Sequence, residues 1–429
     1  MATRLFPPFY QFEDADGIPL VGGTLEFYAA GTSATKDTFA DAGLTIPNGT
    51  ITLNALGRAP VPIFASIGDY RVILKDADGV VIGDEDPVAG ANADVAGSGS
   101  SFRNLLINGD FALNQRVVTS AADDAYAHDG WYALTNTGSV TVATQTLAEN
   151  GTPTSARLTQ PDVTAKRLGY AQIIESANCR HTRGGSVTLS GRVRHSIAAP
   201  IRYAILSWTS TADAVTSDVV LDWLSPSFTA GGFFLAAGVT VQAVGAVTPA
   251  AATWTALPPI SATISGSMNN LIAFVWTENT TAQNATLDLA RLQLEPGNSA
   301  SVFEYLPRET QLSRCRRYYQ KSFSLTTAPA QATEPATAIS ITQAVAASTA
   351  QRGNQIDLAV PMRVFGYTVT LFNPASANAE ARNNTVAADC SSTSSAITGD
   401  GKFTVTTITP GGSAAGNTLA IHYTAEAAL

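Results

Sequence analysis

Cysteine, histidine and charge are all scarce in this 429-residue chain. Its three cysteines, Cys179, Cys315 and Cys390, are too few and too scattered for a secreted disulfide framework or a zinc cage. The four histidines, His128, His181, His195 and His422, show no metal-ligand spacing. No G-x-S-x-G elbow, P-loop or G-x-G-x-x-G segment occurs, so the reading calls for no metal, no cofactor and no catalytic residue. Charged residues make up only 14% of the chain, whereas hydrophobic residues reach 45% and mean hydropathy is +0.09. Sizeable cores are therefore expected and disorder is not. A net charge of −9 and a pI near 5.0 disfavour nucleic acid, whose backbone requires a basic footprint. Long apolar runs are missing too. Met1–Phe9 carries no uninterrupted apolar segment of the secretory kind, which predicts folding in a reducing cytoplasm. The uncharged window Gly231–Ala252 alternates at Val239, Val241 and Val244 and is interrupted by Pro249, so it reads as strand and loop rather than as a membrane span.

The charge that exists is unevenly placed. Residues 1–90 hold 12 acidic and 5 basic side chains, a net of −7. Residues 91–321 balance, and residues 322–429 carry −2. Between residues 203 and 290 there is no lysine or arginine, an unusual gap for a solvated surface. Part of that stretch is expected to be covered by another chain or module.

At roughly 150 residues per domain the length suggests about three domains. Residues 1–90 read as a compact β module: Asp14–Gly17 and Asp76–Gly79 are turn signals, followed by the apolar runs Ile18–Val21 and Val80–Ile82. Residues 91–101 are small, polar and rich in Gly and Ser, the composition of a linker. Residues 102–307 alternate in short segments, among them Ser139–Thr146, Ser186–His195, Ile201–Ser207, Val219–Trp223, Ala252–Ile260, Leu271–Trp276 and Ala285–Leu294. Such a series predicts a jelly-roll-like β-sandwich. Residues 308–321 contain no Gly or Pro and place Leu312, Cys315 and Tyr319 at i, i+3 and i+7, which predicts one short connecting helix. Residues 322–429 return to β sequence and read as a C-terminal β domain. The fold class is thus all-β and multidomain.

Two segments resemble parts of phage tail proteins. Gln11-Phe-x-Asp-x-x-Gly17-x-Pro19-Leu20-x-Gly22-Gly23, Phe27-Tyr28-x-Ala-Gly31-Thr32, Ile51-x-Leu-x-x-x-Gly57-Arg58 and Tyr70-Arg-Val-x-Leu-x-Asp-x-x-Gly79 together resemble the N-terminal virion-attachment module of tail fibres and tailspikes. Asn104-Leu-Leu-Ile-Asn-Gly-Asp-Phe111, Gln115-Arg116 and Asp129-Gly-Trp131 resemble the opening of a sandwich module found in phage tails, although the usual Arg before the Trp is Gly130 here. Gln293-Leu-Glu295-x-Gly297, Phe303-Glu304 and Cys315-x-Arg317-Tyr318-Tyr319 match its closing phrase. Met362-Arg363 and Tyr423-Thr-Ala-Glu426 resemble the small β domain that follows. The resemblance implies a non-enzymatic virion component, a homotrimer fixed to other tail proteins through residues 1–90, with its distal modules facing the host. Collar, adaptor or baseplate component, glycan-degrading tailspike and a carbohydrate-binding protein unconnected with a virion are the alternatives.

Each candidate for chemistry has a plainer reading beside it. The Asp-x-Asp-Gly segments lack the remaining ligands of a calcium loop and are better read as tight turns. Cys179 and His181 are same-face neighbours if that stretch is a strand, with no third orienting group. Asp123 and Asp124 are adjacent and point apart on a strand, while Glu175, Asp218, Asp222, Glu278 and Asp288 are scattered, a poor start for a glycosidase. Aromatics suit glycan binding, because an exposed indole stacks on a sugar ring. Trp131 and Trp276 read as core; Trp208, Trp223 and Trp254 stay open between core and glycan contact. Leu312, Cys315 and Tyr319 are assigned to a domain junction, either within one chain or beside a symmetry axis.

Overall fold

The computed structural model describes residues 3–14, 16–66, 68–88, 90, 102–146 and 153–429. The expected linker at 91–101 lies outside them. The chain forms two compact units, residues 1–101 and 102–429.

In the first unit, strands β1 (Thr3–Arg4), β2 (Thr24–Ala29), β3 (Thr38–Phe39), β4 (Ile51–Thr52), β5 (Phe64–Ala65), β6 (Tyr70–Lys75) and β7 (Val81–Val88) form the sheets β1-β5-β3 and β4-β2-β6-β7. Alternation sends Leu25 and Phe27 of β2, and Tyr70 and Val72 of β6, into one small core with Ile51 and Ile63. The Asp turns are built from side-chain oxygens. Asp14 Oδ1 accepts from the N–H groups of Asp16 and Ile18, and Asp76 Oδ1 accepts from Asp78 and Val80. Those carboxylates organise backbone. The first and third phrases of this module meet where the Phe12 N–H donates to the Gly57 carbonyl, and a Cβ at Gly57 would come within 2.6 Å of the Phe12 carbonyl oxygen.

The second unit is a β-sandwich with an appended sheet layer. Among the described residues its strands are β8 (Ser120–Ala122), β9 (Ala125–Tyr126), β10 (Tyr132–Thr135), β11 (Ser139–Thr146), β12 (Thr154–Thr159), β13 (Leu168–Ile174), β14 (Ser186–His195), β15 (Ile201–Trp208), β16 (Val239–Val247), β17 (Thr255–Thr263), β18 (Asn270–Thr277) and β19 (Thr286–Pro296). They make two antiparallel six-stranded sheets, β16-β15-β18-β13-β10-β9 and β17-β14-β19-β12-β11-β8. Leu189, Val193, Leu287, Leu289, Leu292 and Leu294 of the second sheet pack against Tyr170, Tyr203, Ile205 and Val275 of the first. Val219–Trp223, expected as a strand, is instead turn and a single bridge from Val220 to Phe234. Its side chains roof the first sheet, so tertiary burial rather than strand pairing accounts for the apolar pattern.

The expected helix over 308–321 is shorter. Helix α2 (Arg308–Arg316) follows a four-residue helical turn α1 (Ser176–Cys179) earlier in the chain, and residues Tyr319–Lys321 form strand β20. β20 pairs with the final strand, setting Tyr319 opposite Glu426, and this pairing captures the backbone where the helical period pointed onward.

The remaining strands are β21 (Ile339–Thr342), β22 (Ala350–Asp357), β23 (Thr368–Phe372), β24 (Arg382–Asn383), β25 (Ala388–Asp389), β26 (Ser391–Gly399), β27 (Lys402–Ile408) and β28 (Thr418–Glu426). β28 pairs with β20, β21, β23 and β24, and β22-β27-β26 forms a separate sheet over a core that includes Phe403, Val405, Ile421 and Tyr423. The sequence placed 102–307 and 322–429 in separate domains. In the structure they belong to one compact unit, because polar clamps and β20 tie the last strand to the sandwich.

Candidate functional site

The opening, closing and terminal phrases of the second unit come together as clamps. The Glu304 carboxylate accepts from the N–H groups of Phe102 (2.6 Å) and Asn104 (2.9 Å). Asn104 donates to the Leu292 carbonyl, and its Oδ1 accepts from Leu106 and Leu294. Asn108 binds Leu113 and Asp129, while Gln115 takes the Asp129 carboxylate and the Tyr319 carbonyl. Arg116 pairs with Glu426 at 2.6 Å and lies over the Tyr319 ring at 4.0 Å. Opening, closing and terminal phrases are therefore one buried scaffold. Trp131 is fully buried, stacks on Tyr170 at 5.6 Å and donates to the Ile107 carbonyl. Gly130 has φ of +80°, and a Cβ there would lie 2.6 Å from Ile107. An arginine at that position would collide.

Cys315 sits in a cluster with Ile107 and Leu113, flanked by Leu312 and Tyr318. Complete burial pushes its thiol well above the ordinary range. These contacts join α2 to the opening loop of the sandwich within one chain, and Tyr319 faces the same junction from β20 rather than from the helix. The cations nearby are held separately: Arg314 donates to the Asn104 carbonyl, Arg317 pairs with Glu175, and Lys321 donates to the Leu325 and Thr327 carbonyls.

Nucleophile and acid–base candidates are held in structural roles. Cys179 is buried on α1 and burial pushes its thiol up to about 11; His181 is exposed on the adjoining 3-10 turn, so the strand reading of that pair does not hold. Glu175 is bound by Arg317 at 2.8 Å and Tyr318 at 3.0 Å, and Glu278 by Arg202 at 2.7 Å. Asp123 accepts from the Thr135 N–H, and burial raises Asp124 and Asp218. His128 is buried between Tyr170 and Thr144, where desolvation lowers it to about 3. No group of three or more His, Cys, Asp or Glu that could hold a metal occurs among the described residues. No helix among them is long and apolar enough to cross a membrane.

The tryptophans separate sharply. Trp208 and Trp223, left open from sequence between core and glycan contact, are each only 8% exposed. They belong to a second apolar cluster on the outer face of the first sheet, where Val215, Val219, Phe233 and Phe234 from residues 209–238 cover Phe274 and Trp276. Phe233 stacks on Trp276 at 5.2 Å, and Trp223 meets Phe233 edge-on at 5.5 Å. Neither indole can take a ligand without opening that roof. Here the cover comes from the chain itself, not from another chain or module.

Trp254 alone remains available. It precedes β17 and is half-buried, on the outer face of the second sheet. Alternation along β12, β19 and β14 turns Arg157, Asp288 and Arg194 to that same face, and register lines them up: Arg157 opposite Asp288, Asp288 opposite Arg194. The Arg157 Nε donates to Asp288 at 2.7 Å, as does the Arg194 Nε. The Arg194 guanidinium lies 5.0 Å from the Trp254 ring centroid. Hydrogen bonding to Asp288 raises the Arg157 pKa. Asp288 itself is 1% exposed, sealed beneath the two guanidinium groups. Sequence reading scattered Asp288 among unrelated carboxylates, because only the strand register brings it between two arginines.

No protein-family model matches this chain, and no curated protein matches it. Among solved structures it is similar to the enzymatically active domain of bacteriophage CBA120 tailspike protein 4, at 12% identity and TM-score 0.27, over 46% of this chain and 22% of that one. It is also similar to a carbohydrate-binding module in complex with β-1,4-galactotriose, at 12% identity and TM-score 0.28, over 46% of this chain and 99% of the module. A xylan-binding domain from Paenibacillus barcinonensis shows 15% identity and a TM-score of 0.25, over 44% of this chain and 98% of that domain. The chain thus spans about a fifth of the tailspike domain. Likenesses this slight carry nothing about ligand or activity.

Proposed function

We propose that this chain is a structural, adhesive component of a bacteriophage tail, a tail fibre that binds a host-surface glycan without cleaving it. The observation that carries the adhesive reading is the open outer face of the second sheet. There a half-buried indole and an arginine pair stand on the sheet face that residues 209–238 leave uncovered. A rigid sheet that presents an aromatic surface and hydrogen-bond donors suits an amphipathic sugar ring. The virion part rests on the ordered phrases shared with tail proteins. It also fits the acidic residues 1–90, whose net charge of −7 suits a basic socket on a neighbouring tail protein. Homotrimeric assembly belongs to the same proposal and would multiply weak contacts. Absence of catalysis is supported by Glu175, Glu278 and Asp288, each held by arginine rather than poised as an acid or base.

A glycan array probed with the full chain tests adhesion, and labelling of purified particles tests placement in the virion. Binding to at least one glycan and labelling at the tail are expected. Release of reducing sugar from a bound glycan would replace the adhesin by an enzyme, and a particle without the chain would remove the virion role.

A further inference from the structure

From the transverse row on the second sheet we infer a binding site for an acidic glycan, one whose sugar rings carry carboxylates. The inference rests on the adhesive reading and names its ligand class. Two guanidinium groups share one carboxylate in this row, so one positive charge is left over on the outer face of a chain whose net charge is −9. Arg157 binds Asp288 through Nε and Nη2. Arg194 binds it through Nε alone, which leaves both of its terminal amino groups outside that ion pair. Those planar donors match a carboxylate, as the grip on Asp288 already demonstrates.

The neighbouring side chains suit a sugar ring. Trp254 closes the row with a half-buried apolar ring that lies against the Arg194 guanidinium, its own N–H buried and without a hydrogen-bond partner. Small residues, Ala143 opposite Arg157 on β11 and the buried Ala290 opposite Arg192 on β14, flank the ion pair on the same face. Ser155, two residues before Arg157 and turned the same way, keeps a buried hydroxyl with no partner. A purely protein-structural ion pair has no use for a spare fork of donors beside an indole ring. A neutral glycan would leave the extra positive charge unanswered, and a flexible polyphosphate would leave the indole unused.

Isothermal titration of the full chain with polygalacturonate, and with the same polymer methyl-esterified, tests the site. Binding to the acid form is expected, weakening as salt is raised, with the ester at least about tenfold weaker. Trp254→Ala and Arg194→Lys should each weaken binding about tenfold. Arg194→Lys keeps a cation beside Asp288, so it separates lost recognition from lost folding, and unchanged melting of either variant secures the reading. Equal affinity for acid and ester, or a short DNA duplex bound as tightly as polygalacturonate, overturns the acidic-glycan site. Neutral array glycans bound with full strength by Arg194→Lys also overturn it while leaving the adhesive reading intact. Failure to bind any glycan removes both.

Discussion

The two sheets of the sandwich share an inner core yet treat their outer faces in opposite ways. On the first sheet, residues 209–238 fold back and bury the face beneath Trp223, Phe233 and Phe234, so strands β13 and β18 are buried on both sides. On the second sheet, Arg157 and Arg194 stand on the outer face above the buried Asp288, and both guanidinium groups reach solvent. The contrast teaches that an aromatic side chain in a β protein reports burial unless its own strand face is left uncovered. Three tryptophans looked alike in sequence, and the covering loop decided which of them remained accessible.

The comparison breaks first at the roof. Phe233→Ala removes the ring stacked on Trp276 and should cost about 3–5 kcal/mol in chemical denaturation, because truncating a fully buried aromatic leaves a cavity. A loss below about 1 kcal/mol would mean the roof is dispensable and the first sheet's outer face is open after all.

Acid should sharpen it next. His128 is held neutral inside, with its folded-state value at about 3 against an ordinary 6.5. The unfolded chain therefore takes up a proton below pH 6.5 that the folded chain refuses until about pH 3. Stability contributed by the neutral ring is complete above pH 6.5 and is lost as pH falls toward 3. At pH 4.5 the loss is about 3 kcal/mol, from roughly 1.4 kcal/mol per unit. His195 and His422 are also lowered by burial and act in the same direction. Urea titrations of the parent and His128→Gln across this range measure it; identical pH slopes for the two would refute the assignment.

Asp288→Asn comes third. It leaves two half-exposed guanidinium groups without their shared anion, and about 1–2 kcal/mol of thermal stability should go, less than for a wholly buried pair because both arginines reach solvent. The smallest stability effect belongs to Trp254→Ala. A half-buried indole outside the core clusters should cost under about 1 kcal/mol on removal, while glycan affinity falls. If Trp254→Ala destabilised as much as Phe233→Ala, the second face would be core and the contrast would vanish.

Much of the fold was legible before any coordinates. Ser139–Thr146 and Ser186–His195 are strands over the spans their alternation marked, and the Asp14 and Asp76 turns have the side-chain hydrogen bonds their composition implied. Trp131 and Trp276 are fully buried as expected. The misreadings have physical causes. Tyr319 continued a helical period but entered a strand, because β28 offered a ladder to pair with. Val219–Trp223 is apolar because it caps a sheet rather than because it joins one. The division at 307–322 missed that Arg116, Gln115 and Glu426, far apart in sequence, lock the last strand to the first loops.

The candidate site was half visible. Trp254 was one of three tryptophans left open between core and glycan contact, but nothing in spacing joined it to Arg157, Arg194 and Asp288, which lie on three other segments. Local alternation and turn chemistry, acting over a few residues, fixed the all-β class, the turns and most strands from sequence alone. Which outer face would be roofed, which indole would meet solvent and which carboxylate would fall between two arginines depended on strand order and register. Those are set by contacts between residues from 43 positions apart, Phe233 and Trp276, to 131 apart, Arg157 and Asp288, and only the folded chain brings them together.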